Sequence, residues 1–463
     1  FQDQFELQPL RSPVLTYYVL GALLACVVPI ASAMKIATAA MLSLLPIGLA
    51  VYCRGLKKDP SMGVAAACVA WGTLAHWGFI SFLGAVGLTL MGLGITLMTV
   101  ERPTRGRIVA LGLVTLAVFL THPSRLPPYL IAVGLTTAAM FPVHRCLRPV
   151  AIAVAPAVVL FAAWWLARPA TETGAVTLQF DPGRASLMGQ WLLHSFRGPA
   201  EAPVLDEVVG LVLGVGVYSG LVRLFHARRR RLPRLSRRAL HASAAALAVS
   251  LTFLGLYFVL PLRIAAWSLV YPREITVAAL CALAALPGLP RSPWLRAPAL
   301  CALLVAVMAP TRLVTEKHAA FDRWTRGFDD LVAEMPLAPK LGYLLLDRTG
   351  PEGDTLPLLH FPAWVQAERG GWLSYHFASN EAAPIRFRRT PPMDVPPATP
   401  EGFEWHPEMF DLSTRGKYFD WILVRAPSSP AARLAEDPSL ELVDRRGWWW
   451  LYHRAPTPAI SAP

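Results

Sequence analysis

The 22 residues Phe79–Val100, FISFLGAVGLTLMGLGITLMTV, hold no charged side chain and run into Glu101-Arg102-Pro103-Thr104-Arg105-Gly106-Arg107. A helix rises about 1.5 Å per residue, so such a run reaches across the roughly 30 Å hydrocarbon core of a bilayer. A helix on a soluble core would keep one polar face. This stretch has none, and it reads as a membrane crossing that ends on a basic loop.

Comparable blocks lie near 36–53, 62–76, 108–121, 127–143, 150–167, 204–225, 239–261, 274–290 and 297–311, which makes ten expected crossings. An eleventh, 13–33, contains Pro13 and Pro29 and reads as a juxtamembrane or re-entrant hairpin. The apolar blocks stop at Pro310. The expected architecture is therefore mostly α: a polytopic helical membrane domain over 1–310, followed by a small α/β domain over 311–463. Of the 463 residues 54% are hydrophobic and 16% charged, which excludes a wholly soluble enzyme and a disordered chain. Phe1 rather than Met opens the chain and no signal-peptide pattern follows, so the start reads as internal to a longer protein.

Charge sorts the loops. Residues 1–310 carry 26 Lys and Arg against 10 acids, and residues 311–463 carry 17 against 20. The basic excess sits in five short loops: Arg54 to Lys58, Arg102 to Arg107, Arg145 and Arg148, Arg228 to Arg238, and Arg291 and Arg296. Positive loops face the cytoplasm, which puts the loops around His76, His122, 168–203 and 262–273 outside, together with the C-terminal domain. A net charge of +13 is thereby explained by membrane orientation, and no nucleic-acid partner is expected. All six cysteines fall at or before Cys301; with no disulfide pattern in the exported part, that domain has to rely on its core.

Ionisable groups at a membrane edge invite a functional reading. His122 and Arg125 lie in the turn Thr121-His122-Pro123-Ser124-Arg125. Tyr271 and Arg273 lie in Tyr271-Pro272-Arg273-Glu274, where Pro272 opens a helix and the Arg fork suits phosphate. The plainer readings are an Arg125 reaching headgroups and an Arg273–Glu274 cap. The loop 168–203 adds Asp181, Arg184, Trp191, His194 and Arg197; the last three share one face of a short helix, suited to a sugar phosphate or simply to the interface. Gly210, Gly214, Gly216 and Gly220 carry GxxxG spacing, which favours close helix packing. No Walker loop or dinucleotide fingerprint occurs, so no nucleotide or redox cofactor is expected; a divalent cation stays open. In the C-terminal part, Phe321–Met335 reads as an amphipathic helix, Leu341–Leu346 and Phe419–Val424 as strands, Pro430–Glu436 as a short helix, and Leu440–Asp444 with Trp448–His453 as a hairpin.

Three passages resemble the polytopic glycosyltransferases of the C-type fold, which include protein O-mannosyltransferases and the aminoarabinose transferases of lipid A. Ser12-Pro13-Val14-Leu15-Thr16-Tyr17-Tyr18 is similar to the family's proline-led juxtamembrane segment, Thr121-His122-Pro123 to its short helix–His–short helix hairpin, and Val270-Tyr271-Pro272-Arg273 to its late outer-face segment. The resemblance implies transfer of a sugar from a polyprenyl-phosphate donor to a lipid, glycan or protein acceptor on the outer side of the membrane, and the Ala-, Arg- and Pro-rich usage with positive-inside loops suits a bacterial inner membrane. It implies an inverting displacement with a carboxylate base and cations on the departing phosphate, and it makes His122, Arg125, Arg184, His194, Tyr271 and Arg273 substrate-binding candidates. The family's base belongs to the first outer loop, whose tail here holds only Asp3 and Glu6. Competing readings are a transporter and a non-catalytic scaffold for assembly of envelope polysaccharide.

Overall fold

The computed structural model describes residues 4–455 apart from 10–11, 168–176, 197, 199–200, 231–235, 265–266, 351–355, 377, 379–382, 389–393 and 400–401. Asp3, Arg197 and the side chains of Arg228 to Arg231 therefore lie outside the described residues. Two compact units form: Pro13–Thr315, and Phe1–Ser12 together with Glu316–Pro463. The N-terminal dozen residues thus group with the C-terminal unit and not with the membrane helices, because strand β1 (Phe5–Leu7) pairs there.

In the helical unit, α1 (Thr16–Ala25) is followed by α2 (Ile30–Gly55). Tyr17 Oη meets Thr38 Oγ1 at 3.0 Å and Gly21 faces Met34, so α1 runs antiparallel to the opening turns of α2. A short α3 (Thr73–His76) precedes α4 (Ile80–Glu101), α5 (Arg105–Thr121), α6 (Leu126–Met140) and α7 (Arg148–Leu166). Then come α8 (Met188–Leu193), α9 (Glu201–Arg230), α10 (Arg237–Val259), α11 (Pro272–Ala285) and α12 (Pro293–Trp324). Six of these, α2, α4, α7, α9, α10 and α12, are long and apolar enough to cross a membrane.

Helix α4 sits at the centre, and its window is 83% buried. A Cβ on Gly48 would lie 2.0 Å from the Gly87 carbonyl oxygen, and one on Gly55 2.6 Å from that of Gly94. The constant offset between these pairs makes α2 and α4 parallel, their backbones touching through glycine. Two parallel neighbours require the chain to travel back between them. Block 62–76 makes that return, but as a ten-residue 3-10 helix, Pro60–Val69, continued by α3. A 3-10 helix rises about 2.0 Å per residue, so fewer residues cover the distance. Its start is fixed by Asp59, whose side chain accepts from Ser61 N–H, and by Pro60. By contrast, a Cβ on Gly210 or Gly214 would meet nothing within 4 Å. Within the α9 GxxxG run Gly210 and Gly214 thus meet no neighbour, whereas a Cβ on Gly216 or Gly220 would lie 3.4 Å from Leu286 or 3.7 Å from Pro287 at the close of α11, so the expected packing forms over half of the run.

The loops sorted by charge meet at one end of this unit. Lys58 Nζ donates to the carbonyls of Ala284, Ala285 and Leu286 at the close of α11, at 2.5, 3.0 and 2.8 Å. Arg238 Nη2 donates to the Gly55 carbonyl at the close of α2, and Arg107 Nη1 to the Met98 carbonyl at the close of α4. Lys57 and Arg238 pair with Glu101, and Arg296 with Asp59. Helix C-termini carry unpaired carbonyls and partial negative charge, so the basic residues also serve as caps.

In the C-terminal unit, α12 ends at Trp324, Gly327 turns the chain at φ 90°, and α13 (Phe328–Glu334) follows. The single helix expected over 321–335 is therefore broken in two. Strands β2 (Lys340–Leu345), β3 (Trp372–Leu373), β5 (Trp421–Arg425), β6 (Leu440–Arg446) and β7 (Trp449–Arg454) form one sheet in the order β3-β2-β5-β7-β6. The first three are parallel, and the β6–β7 hairpin is antiparallel. Trp449, Leu451, Leu341 and Tyr343 pack on α13 and α14 (Ala363–Arg369), while Trp450, Tyr452, Ile422 and Leu344 pack under Phe403, Phe410 and Phe419. The short α15 (Ala431–Leu434) contributes Leu434 to that second face. Beside the sheet, β1 pairs antiparallel with β4 (Ile385–Phe387), and Phe5 stacks on His376 at 4.8 Å.

Candidate functional site

The opposite end of the helical unit is built from two turns. Helix α5 stops at His122, whose backbone turns extended, and Pro123 starts a single 3-10 turn that delivers Arg125 to the N-cap of α6. Pro272 starts α11, which puts Arg273 and Glu274 in its first turn. The side chain of Arg125 is 1% exposed, and its Nη1 donates to both oxygens of Glu274, at 3.0 and 2.8 Å. Its guanidinium lies 4.8 Å from the centre of Phe253 and 5.7 Å from that of Phe82. Arg273 is 6% exposed, sits 4.2 Å from the centre of Phe79, and donates from Nη2 to the Ser268 carbonyl. Nε and Nη2 of Arg125 and Nε of Arg273 are buried without an acceptor among the described residues.

This is an electrostatically costly arrangement. Both guanidiniums stand at helix N-termini, where the backbone dipole is positive, and among the described residues only Glu274 offsets them. Burial pulls Arg273 down to about 10, with Glu274 opposing and Arg125 adding to that shift. Burial, Arg273 and Arg125 hold His122 well below the ordinary imidazole range, so the ring is neutral. Its Nδ1 lies 2.8 Å from Ser124 Oγ. Nε and Nη2 of Arg125 share one edge of the guanidinium, the fork that grips two oxygens of a carboxylate or phosphate.

Arg184 closes one side, with its Nη1 and Nε already engaged. It donates to the Tyr257 and Leu260 carbonyls, pairs with Asp181 at 3.3 Å, and lies 4.0 Å from the centre of the Tyr271 ring. Trp191 packs edge-on against Tyr271 at 6.4 Å. His122, Arg125, Arg184, Tyr271 and Arg273 thus form one neighbourhood. His194 belongs to another: its ring faces Glu201 at 3.9 Å, and Thr73 Oγ1 donates to the Gln190 and His194 carbonyls. It follows α8 in extended backbone, so the helical face expected for Trp191 and His194 does not form. Glu6 is an exposed residue of β1 that accepts from Gln8 Nε2 at 2.7 Å.

Glu274 is the residue that sequence reasoning misplaced. Its neighbour Arg273 offered an easy partner, yet it pairs with Arg125, 149 positions away. Phe79, Phe82 and Phe253 were invisible for another reason, since an aromatic in an apolar block looks like any lipid-facing residue. Among the described residues no group of three or more His, Cys, Asp or Glu is placed to hold a metal ion.

No protein-family model matches the chain, and no curated protein matches it. Among solved structures, the crystal structure of ArnT from Cupriavidus metallidurans bound to undecaprenyl phosphate aligns over 98% of this chain and 89% of that one, with 14% sequence identity and a TM-score of 0.46.

Proposed function

We propose that the chain is a membrane glycosyltransferase that moves a sugar from a polyprenyl-phosphate-linked donor to an envelope acceptor at the outer face of a bacterial inner membrane. The observation that carries this reading is the pair of buried guanidiniums, Arg125 and Arg273, at two helix N-termini with donors left over. A buried, incompletely paired cation is unstable on its own terms; an oxyanion supplies the missing acceptors. The flanking sequences are also the ones that resemble C-type glycosyltransferases. The polar cluster lies at the end of the helices opposite the basic loops, which suits a lipid phosphate whose tail runs along the apolar helices.

In such a reaction the acceptor hydroxyl attacks the anomeric carbon, and negative charge builds on the phosphate oxygen that leaves. Arg125 and Arg273 would meet that charge with preorganised N–H groups. Neutral His122 adds a hydrogen-bonding group without adding charge. The family resemblance implies a general base in the first outer loop, and this chain's candidates from the tail of that loop are Asp3 and Glu6.

The test is binding of undecaprenyl phosphate to the full chain in nanodiscs, read by native mass spectrometry and thermal shift. Arg125→Lys and Arg273→Lys each lose the bidentate fork and weaken binding by about tenfold or more. Unchanged binding in both variants would overturn the reading.

A further inference from the structure

Two cations would bind a phosphate more tightly without a carboxylate beside them, so the phosphate reading leaves Glu274 to be explained. The groups that face one another here, among the described residues, are Arg125, Arg273, Glu274, His122, Ser124, Tyr257, Tyr271 and the Arg184–Asp181 pair. Arg184 and Asp181 cancel, and His122 is neutral. Arg125 and Arg273 less Glu274 leave one positive charge. Glu274 touches only Nη1 of Arg125, so it neutralises that guanidinium while leaving the Nε/Nη2 fork to a ligand.

Sugar transfer changes the charge of the lipid. The donor phosphodiester carries one negative charge. When the bond from the anomeric carbon to the phosphate oxygen breaks, its electron pair stays on that oxygen. The acceptor oxygen bonds to the anomeric carbon and its proton passes to the base. The lipid is left as a phosphomonoester, whose second ionisation lies near pH 6, as in other phosphomonoesters, so that it carries close to two charges above neutrality. Resting on the phosphate reading, we infer that Glu274 is a specificity-determining residue: it trims the site to a single positive charge, matching the singly charged diester donor and favouring release of the doubly charged monoester product. Selectivity of this kind comes from a built-in repulsion as much as from attraction.

The experiment uses the full chain in nanodiscs of zwitterionic lipid, with undecaprenyl phosphate as the monoester probe and its methyl ester as the diester probe. At pH 8 the wild type binds the diester about tenfold more tightly than the monoester, and Glu274→Gln, which keeps the shape and loses the charge, erases or reverses that preference. Between pH 8 and 5.5, wild-type affinity for the monoester rises as the dianionic probe takes up one proton and becomes a monoanion, whereas diester affinity stays flat. Burial and the neighbouring Arg273 and Arg125 disfavour a charged His122 beside the probe. A diester-to-monoester ratio unaltered by Glu274→Gln overturns the inference. Should that variant fail to fold, a pH-independent monoester affinity in the wild type overturns it equally. If neither probe binds the wild type, the phosphate reading fails and takes this inference with it; if both bind without preference, only the inference fails.

Discussion

Helix α11 carries a cation at each end, and the two are placed by opposite rules. At its C-terminus Lys58 gives three N–H donors to the carbonyls of Ala284, Ala285 and Leu286, where unpaired acceptors and the negative pole of the helix favour it. At its N-terminus Arg273 is buried in the first turn against the positive pole, beside a second guanidinium equally out of place. Burial lowers the Lys58 amine to about 8, yet all its donors find carbonyl acceptors, so folding energetics account for the first end. The second end is locally destabilising, and residues that break local rules in this way mark functional sites.

The contrast is sharpest in the Arg125–Glu274 pair. Deleting Arg125 alone strands a carboxylate with its side chain 7% exposed. Arg125→Ala should cost about 3–5 kcal/mol in chemical unfolding, and Arg125→Leu combined with Glu274→Leu should recover most of it. A loss in the double variant equal to the sum of the losses from Arg125→Leu alone and Glu274→Leu alone would mean that the pair is not coupled and that the site's charge balance is set elsewhere.

Next in size is the exchange of roles along α11. Lys58→Met removes charge-assisted bonds to three carbonyls and should lower stability by about 1.5–3 kcal/mol without changing lipid-phosphate binding. Arg273→Met should do the reverse, leaving the unfolding midpoint level or higher while undecaprenyl phosphate binding falls. If both variants lose stability alike, the two ends of α11 do not differ in the way described.

Crossings were legible wherever a bilayer demands a long apolar run, as for α4 and α10, because lipid leaves no alternative way to satisfy the backbone. The pitch of the return at 60–69 was not. A stretch apolar on all sides has no polar face to report 3.0 or 3.6 residues per turn. The basic loops announced themselves by charge, but their work as helix caps depends on which carbonyls arrive nearby. His122, Arg125, Tyr271 and Arg273 were legible because polar residues are scarce at such helix ends. Glu274 was not, since its partner comes from another helix hairpin. Strand β1 is three residues long, too short for alternation to register, so the assignment of Phe1–Ser12 needed the fold.

Glycine packing gives a comparison of similar scale between α2–α4 and α9. A Cβ at Gly94 would sit 2.4 Å from the Val51 carbonyl oxygen, whereas one at Gly210 meets open space. Gly94→Leu should therefore force the helices apart, costing about 1–3 kcal/mol or more through overpacking, and Gly210→Leu should leave the unfolding curve in place. A strong effect at Gly210 would show that α9 has a partner on that face.

The smallest expected effect lies at the basic end, in the pair between Lys57 and Glu101. Lys57 is 60% exposed, Glu101 is 23% exposed, and Arg238 also reaches Glu101. An exposed pair gains little over its hydrated partners and is screened by salt. Lys57→Ala should thus change stability by less than about 1 kcal/mol, and by less still in high salt, since Arg238 continues to offset the carboxylate. For Glu274 the second cation, Arg273, acts through space and makes no ion pair with it among the described residues. The same chemical pair, an acid and a base joining two helices, is thus expected to be nearly dispensable at one end of the unit and indispensable at the other. Burial and redundancy decide this, not the count of ion pairs. A large loss from Lys57→Ala that persists in high salt would reverse that ranking.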